Sequence, residues 1–275
     1  MSIRVIRGRN KKKTTEHMKR LAIIFLSLVL LSPALLAWGP KGHRIVAQVA
    51  YDHLTPKVRK HIDAVLGTQG MVYLSTWPDE IKSDTIYSTS FTCHYQDLNG
   101  GLTDEQVVAT LTNYPTEGGD LWRALDSLEA YLSDNPTHRD AYVFYVHLYA
   151  DRFCPMHTAH LDDQGGNAVR FKWFGQNTNL HSLWDSKLIE NKGFSYTEYA
   201  SYLHNVYGPQ YKAIYSLTEE ETLLHTYHLT DAIYTYRSTW NGNAYHYAYR
   251  WTADVELQMY MAGVHLAKQL NSLLK

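Results

Sequence analysis

Residues 147–157 have the sequence HLYADRFCPMH, which holds two histidines and an aspartate in a strongly apolar setting. Apolar residues recur around them at helical spacing and predict a helix over roughly residues 137–153. His147 and Asp151 are four residues apart, so their side chains share one face of that helix. His157 follows Pro155, where the helix is expected to end and a third ligand can fold back. This spacing predicts ligands for a shared metal site.

The same spacing of histidine and aspartate returns in HSLWD, residues 181–185. A single pair of this kind is more often an exposed charge pair. Two identical pairs in apolar helices indicate another role, because buried histidine and aspartate need partners. Histidine and carboxylate ligands suit zinc in a catalytic site, where positions stay open for water. A structural zinc site made of thiolates is excluded, because Cys93 and Cys154 are the two cysteines of the chain.

Helical periodicity continues on both sides of these pairs, and no repeat or Pro/Gly-rich linker divides residues 38–275. The sequence therefore predicts one mainly α domain. Residues 168–173 look extended and precede turn residues, which predicts a small β-hairpin. Asp120, Thr137 and Asn179 are predicted N-caps. The other predicted helices cover roughly residues 41–53, 56–67, 103–113, 120–133, 179–190, 196–206, 219–236 and 246–274.

Residues 1–37 differ in composition from the rest of the chain. Basic residues precede the apolar run Leu21–Leu31, which is shorter than the about 20 residues that span a bilayer. This pattern is typical of a secretory signal peptide, and we expect cleavage after Ala37. Translation would then naturally start at Met18. The alternative to a cleaved signal peptide is an uncleaved membrane anchor. Residues 38–275 would form the mature domain, located in the periplasm or secreted.

Charge is unevenly distributed along the chain. Residues 1–37 hold 8 of the 26 Lys and Arg and 1 of the 27 Asp and Glu. This leaves 18 basic and 26 acidic residues in residues 38–275, a formal net charge of −8. A nucleic-acid groove built from lysine and arginine alone is therefore not expected, and a bound polyanion would need another source of positive charge.

Two cysteines do not make a disulfide scaffold; Cys93 and Cys154 either form one disulfide or stay free.

Six short motifs follow one another along the predicted mature domain. They are WGPKGH (38–43), WPD (77–79), HYQD (94–97), HLYADRFCPMH (147–157), GGN (165–167) and NLHSLWD (179–185). In this order they resemble the zinc-dependent single-strand-specific nuclease family, which includes mung bean nuclease, nuclease S-one and nuclease P-one. The resemblance implies a single helical domain of the zinc-dependent phospholipase C and single-strand nuclease type, with three zinc ions in a cleft.

The resemblance also implies which residues bind each zinc ion. The first zinc would be held by Asp79, His94, His147 and Asp151. The second, more exposed zinc would be held by His157, His181 and Asp185. The third would be held by His43, by Asp151 as a bridging carboxylate, and by the α-amine and carbonyl oxygen of Trp38. Trp38 can provide an amine only after the signal peptide has been removed.

The family's chemistry implies further roles. Clustered zinc ions lower the pKa of a bound water to about 7, so that hydroxide can attack phosphorus in line. Asp79 would also orient this water, and Lys82 and Asn167 match positions that contact the phosphate. Tyr95 would stack on an unpaired base while Asp97 reads the edge of that base. A base can bind in this way only outside a duplex, which accounts for single-strand preference.

The implied activity is endonucleolytic hydrolysis of single-stranded DNA and RNA to 5′-phosphate products, together with 3′-nucleotidase activity. We expect a monomer without stable membrane association, whose partners are these substrates. The alternatives are a zinc-dependent phospholipase C-like phosphodiesterase and a non-catalytic zinc-binding protein. The sequence departs from the family at Cys154, where many relatives have glutamine, and it lacks the disulfides of the fungal and plant members.

Overall fold

The computed structural model describes residues 38–115 and 117–275. The predicted signal peptide, with its cleavage point after Ala37 and the alternative start at Met18, lies outside the described residues. Most of the described chain is helical, and its strands form one short antiparallel hairpin. The prediction of a mainly α fold with a small hairpin is therefore confirmed.

The helices and strands are labelled here in chain order. The first half of the described chain contains α1 (Pro40–His53), α2 (Pro56–Leu66), α3 (Gly70–Leu74), α4 (Trp77–Ile81), α5 (Asp104–Thr112), α6 (Leu121–Asp134) and α7 (Arg139–Asp151). The second half contains β1 (Arg170–Trp173), β2 (Gln176–Asn179), α8 (residues 180–190), α9 (Tyr196–Tyr207), α10 (Tyr211–Ser216), α11 (Glu219–Thr239) and α12 (Ala244–Leu273). Helix α8 has a π-helical middle, Leu183–Lys187, and 3-10 turns span Gly67–Gln69, Ser88–His94, Pro155–His157, Leu161–Asp163 and Gly208–Gln210. Among the described helices, none is both long and apolar enough to cross a membrane.

The predicted N-caps have different outcomes. Asn179 caps α8, because its side-chain oxygen accepts a hydrogen bond of 2.7 Å from the Ser182 amide. Thr137 was the wrong residue for α7, which begins one position later and is capped by the ring of His138. Asp120 precedes α6 but makes no capping hydrogen bond with its side chain. It instead forms an ion pair of 3.2 Å with Arg123.

Helix α12 forms the centre of the core, and α1 packs along it. The two helices meet at a glycine. A β-carbon on Gly263 would lie 2.5 Å from a methyl group of Val49 and 3.0 Å from the carbonyl oxygen of Val46. Because a residue without a side chain stands at this point, α1 can approach closely, and this contact fixes the helix that carries His43.

Helix α7 carries the first histidine–aspartate pair through the interior. Every residue from Ala141 to Asp151 except Phe144 is buried. Water cannot solvate the polar groups of such a helix, so leaving His147 and Asp151 without partners would cost several kcal/mol, roughly 2–7 for each neutral group and more for a charged one. Other parts of the fold must therefore bring polar partners to this helix.

Candidate metal centre

Histidine and aspartate side chains from separate elements converge on the last two turns of α7. All are buried except Asp79, which is partly buried. They are His43 from α1, Asp79 from α4, His94 from the end of the 3-10 turn Ser88–His94, His147 and Asp151 from α7, His157 from the 3-10 turn Pro155–His157, and His181 and Asp185 from α8. The structure thus places side by side every side chain that the resemblance implied as a zinc ligand.

The carboxylate of Asp151 lies at the middle of this group. Its Oδ2 is 3.2 Å from Nδ1 of His94 and 3.3 Å from Nε2 of His147. Its Oδ1 is 3.3 Å from Nε2 of His43 and 3.7 Å from Nδ1 of His157. The two oxygens therefore face different histidines, which is the arrangement that a carboxylate needs to bridge two cations.

Asp79 and His43 complete the same side of the group. Oδ1 of Asp79 is 3.8 Å from Nδ1 of His94 and 3.8 Å from Nε2 of His147. The ring of His43 stacks on that of His147 at 3.8 Å between centroids. Two overlapping sets, His43–Asp79–His147 and His94–His147–Asp151, have donor atoms within 4.8 Å of one another.

Backbone carbonyls orient three of the histidine rings. Nδ1 of His147 lies 2.7 Å from the carbonyl oxygen of Ser75, and Nδ1 of His157 lies 2.6 Å from that of His94. Nδ1 of His181 lies 2.8 Å from the carbonyl oxygen of Gly165. Because Nδ1 donates its hydrogen to the carbonyl, Nε2 is the ring nitrogen that carries no hydrogen, as in metal-binding histidines held by a second layer of hydrogen bonds.

Several nitrogen and oxygen atoms of the group that could bind a metal are buried and have no hydrogen-bond partner. They are both ring nitrogens of His43, Nε2 of His94, Nε2 of His157, and one oxygen each of Asp151 and Asp185. Unpaired buried polar atoms are rare, and so many in one place require an explanation. Nitrogen and carboxylate oxygen are zinc ligands, and bound zinc ions would satisfy one ring nitrogen of each histidine and the carboxylate oxygens. The residues therefore fit the metal that the family resemblance implies.

The pKa shifts within the group suit a site that binds cations. Burial raises the pKa of Asp185 well above its usual range, and the nearby Asp79 and Asp151 carboxylates raise it further. Burial would also raise the pKa of Asp151, but the surrounding histidines, His147 first, hold it well below that range. Burial lowers the pKa of His157 to about 3, so its ring is neutral and can bind a cation. A cation beside Asp185 would restore the charge of that carboxylate.

Trp38 lies beside the same group. Its side chain is fully buried, and its indole nitrogen donates a hydrogen bond of 2.7 Å to the carbonyl oxygen of Ala150, the neighbour of Asp151. The next residue, Gly39, donates its amide to the carbonyl oxygen of Asp185 at 2.9 Å. A β-carbon on Gly39 would lie 2.2 Å from Oγ of Ser186, so glycine permits this close approach. The backbone of residue 38 is thereby anchored between α7 and α8.

The proposed base-reading residues lie on an extended segment next to His94. Its backbone bonds to two other segments: the amide of Gln96 donates to the carbonyl oxygen of His157 at 2.8 Å, and that of Asp97 to Gly118 at 2.6 Å. Tyr95 is partly buried and Asp97 is buried. Burial and the nearby Asp163 raise the pKa of Asp97 to about 8.

The two proposed phosphate-contacting residues flank the group. Nζ of Lys82 lies 3.2 Å from Oδ1 of Asp79, one turn earlier on the chain. Asn167 is partly buried in the Gly-Gly-Asn turn, where its amide donates to the carbonyl oxygen of Gln164 at 2.9 Å. That turn also approaches Asp97: a β-carbon on Gly165 would lie 3.0 Å from its Oδ1.

Comparison with known proteins decides the family. The sequence model described as S1/P1 Nuclease matches residues 38–275, the whole described part of the chain. The chain belongs to the S1/P1 nuclease family. Endonuclease 2 of Arabidopsis thaliana is 29% identical over 184 residues, 61% of this chain and 61% of that protein. Nuclease S1 of Aspergillus oryzae is 26% identical over 189 residues, 66% of this chain and 64% of that protein, and nuclease P1 of Penicillium citrinum is 28% identical over 178 residues, 58% and 63%.

The aligned segments span about three fifths of the Arabidopsis relatives' own length. Membership of the S1/P1 nuclease family therefore rests on the family match across residues 38–275, and the activity of this member is argued from its own residues.

The cysteines were only partly anticipated by the sequence. Cys93 is partly buried and Cys154 is buried, and both are free thiols. Of the two alternatives that the sequence left open, one disulfide or two free cysteines, the structure therefore has the free cysteines. The position of Cys154 among the metal-binding candidates was not predicted from the sequence. Its sulfur and donor atoms of His157 and Asp185 lie within 4.8 Å of one another. The spacing of Cys154 three residues before His157 was the available signal.

Proposed function

We propose that this member of the S1/P1 nuclease family is a zinc-dependent phosphodiesterase that cleaves single-stranded DNA and RNA. It leaves 5′-phosphate products, also acts as a 3′-nucleotidase, and works outside the cytoplasm after removal of residues 1–37. The observation that carries the proposal is the carboxylate of Asp151, whose two oxygens face different histidines in a buried group where several ligand atoms have no hydrogen-bond partner.

Three zinc ions would be held by the ligand groups that the resemblance implies. Asp79, His94, His147 and Asp151 form one group, and His157, His181 and Asp185 form the second. The third consists of His43, Asp151, and the free α-amine and carbonyl oxygen of Trp38. Zinc ions bound there would supply hydroxide at neutral pH and neutralise charge at the phosphate, which the formal charge of −8 on residues 38–275 would otherwise repel.

The protein's own residues would position the substrate. Oδ1 of Asp79 would accept a hydrogen bond from the attacking water and hold it in line with the scissile bond. Lys82, 3.2 Å from that carboxylate, would place an ammonium group beside a non-bridging phosphate oxygen. Asn167 would exchange its bond to Gln164 for one to the phosphate. Asp79 and Lys82 are partly buried, so water screens their charges less than it would on the open surface.

Tyr95 and Asp97 would select the unpaired base. The ring of Tyr95 would stack on the base face, which a duplex does not expose. With a pKa raised to about 8, the carboxyl group of Asp97 holds its proton at neutral pH. It would then offer one donor and one acceptor to a base edge, a pattern found on every nucleobase, so weak sequence preference is expected.

The test compares substrates and two histidine variants. Protein beginning at Trp38 is assayed on single-stranded DNA, RNA, the matching duplex, a 3′-nucleotide and phosphatidylcholine, and the ends of the products are determined. His181→Asn should lose zinc and activity. His228→Asn is the matched control, because His228 is an exposed histidine that pairs with Asp104 and is not a candidate ligand. Preferential hydrolysis of phosphatidylcholine, or full activity of His181→Asn, would contradict the proposal.

A further inference from the structure

Cys154 lies inside the second group of candidate metal ligands. Its side chain is fully buried, as are those of His157 and Asp185. The sulfur atom, a ring nitrogen of His157 and a carboxylate oxygen of Asp185 are within 4.8 Å of one another. No role has so far been given to this thiol.

The two neighbours of the sulfur present unpaired donor atoms. Nδ1 of His157 is engaged by the carbonyl oxygen of His94, which leaves Nε2 as the metal-binding atom. Nε2 of His157 and Oδ1 of Asp185 are both buried without a hydrogen-bond partner, and they are 4.0 Å apart. The thiol thus lies near two atoms that have no hydrogen-bond partner, which points to a ligand bound by all three side chains.

The local backbone explains how Cys154 reaches this place. Its amide donates to the carbonyl oxygen of Asp151 at 2.9 Å, so residue 154 closes the end of α7. Its own carbonyl accepts from the amide of His157 at 2.9 Å and starts the 3-10 turn Pro155–His157. Cys154 is thus the N-cap of this turn, three residues before His157, and its sulfur lies within 4.8 Å of a ring nitrogen of His157.

We propose that Cys154 is a sulfur ligand of the metal ion held by His157, His181 and Asp185. The proposal rests on the proposed function only in taking these three residues to hold a metal. Around tetrahedral zinc, with Zn–S of about 2.3 Å and Zn–N of about 2.0 Å, donor atoms lie roughly 3 to 4 Å apart. The three atoms here, within 4.8 Å of one another, are close to that spacing. When the metal–sulfur bond forms, the thiol proton leaves to solvent.

A sulfur ligand would change the properties of this metal site. On coordination the sulfur becomes a thiolate, because a metal ion deprotonates a thiol that binds it. Thiolate with two imidazoles and one carboxylate is a softer set than histidine and aspartate alone, and it favours zinc over magnesium or manganese. It also fills one position that water would otherwise occupy.

Cobalt substitution tests the proposal by spectroscopy. The protein beginning at Trp38 is depleted of metal, loaded with Co²⁺ and compared with Cys154→Ser and with Cys93→Ser, the matched control at the other cysteine. We expect a sulfur-to-cobalt charge-transfer band in the near ultraviolet for the wild type and for Cys93→Ser. In Cys154→Ser at equal cobalt content, that band should be lost. Absence of the band in the cobalt-loaded wild type, or its persistence in Cys154→Ser, would overturn the proposal.

A second measurement uses the zinc protein and does not depend on cobalt uptake. Zinc-edge X-ray absorption should reveal a sulfur neighbour at about 2.3 Å in Cys93→Ser that is missing in Cys154→Ser. Identical spectra for the two variants would overturn the proposal. Hydrolysis of single-stranded DNA by the same samples separates the two ideas: activity without a sulfur neighbour refutes only the sulfur ligand, and a sulfur neighbour without activity refutes only the proposed function.

Discussion

Replacing Asp97 by asparagine should change how the stability of the protein depends on pH. The side chain is 7% exposed, its Oδ1 has no hydrogen-bond partner, and Asp163 adds a second negative charge nearby. Together these raise the pKa of the carboxyl group to about 8 in the folded protein. In the unfolded chain it would titrate near its reference pKa of about 3.9.

The direction of the effect follows from proton binding. Between about pH 4 and pH 8 the folded protein holds a proton on Asp97 that the unfolded chain has released, so the free energy of unfolding falls as pH rises. Each unit of pKa difference corresponds to about 1.4 kcal/mol, which gives a loss on the order of 4 kcal/mol by pH 7. Asparagine does not titrate, although its buried amide costs about 1–3 kcal/mol if it stays unpaired.

Urea unfolding at pH 5 and pH 8, at saturating zinc, measures this effect. The stability of Asp97→Asn relative to wild type should increase by several kcal/mol from pH 5 to pH 8. Zinc release and other titrations occur in both proteins and cancel in this difference. Asp134→Asn is the control, because Asp134 is exposed and its variant should follow the wild type at both pH values. A relative stability of Asp97→Asn that stays constant or decreases with pH would refute the reasoning.

Three further predictions concern activity. Asp151→Asn should lower zinc content and kcat/KM more than His181→Asn does, because an amide has one good acceptor where a bridge needs two; near-normal metal analysis and kinetics for Asp151→Asn would disprove the bridge. A short tag fused directly before Trp38 should leave a folded protein that binds less zinc and cleaves slowly, because the tag turns the α-amine of Trp38 into an amide nitrogen, which cannot bind metal. Zinc content and activity equal to those of protein beginning at Trp38 would exclude the terminus as a ligand. Tyr95→Leu should weaken single-strand binding roughly 5- to 150-fold through lost stacking, as measured by KM, and unchanged KM would argue against a stacking role.

The helical fold could be predicted because its long helices carry clear apolar periodicity. Predicted ends for α1, α6 and α9 agree with the structure to within about two residues, the usual uncertainty of helix ends. The short helices α3, α4 and α10 were not predicted, because a five- or six-residue segment holds too little periodic signal.

The candidate site was predicted from residue types together with the order of the motifs. Local spacing alone would not have been enough to predict it. The pairs His147–Asp151 and His181–Asp185 are visible at four-residue spacing, but His43, Asp79 and His94 reach the group only through tertiary packing. The carbonyl groups that orient His147, His157 and His181 belong to the backbone, so no pattern of side chains in the sequence predicts them. The sulfur of Cys154 became a candidate ligand only in three dimensions, because its three-residue spacing to His157 does not show that Asp185 lies beside it.

The central claim is a zinc-dependent activity restricted to unpaired nucleic acid. The most direct test uses protein beginning at Trp38 and one oligonucleotide, offered as a single strand and as a duplex, before metal removal, after it, and after zinc is restored. We expect cleavage of the single strand with zinc present, none after removal, recovery with zinc, and little cleavage of the duplex throughout. Cleavage that survives metal removal, or equal rates on both substrates, would contradict the account.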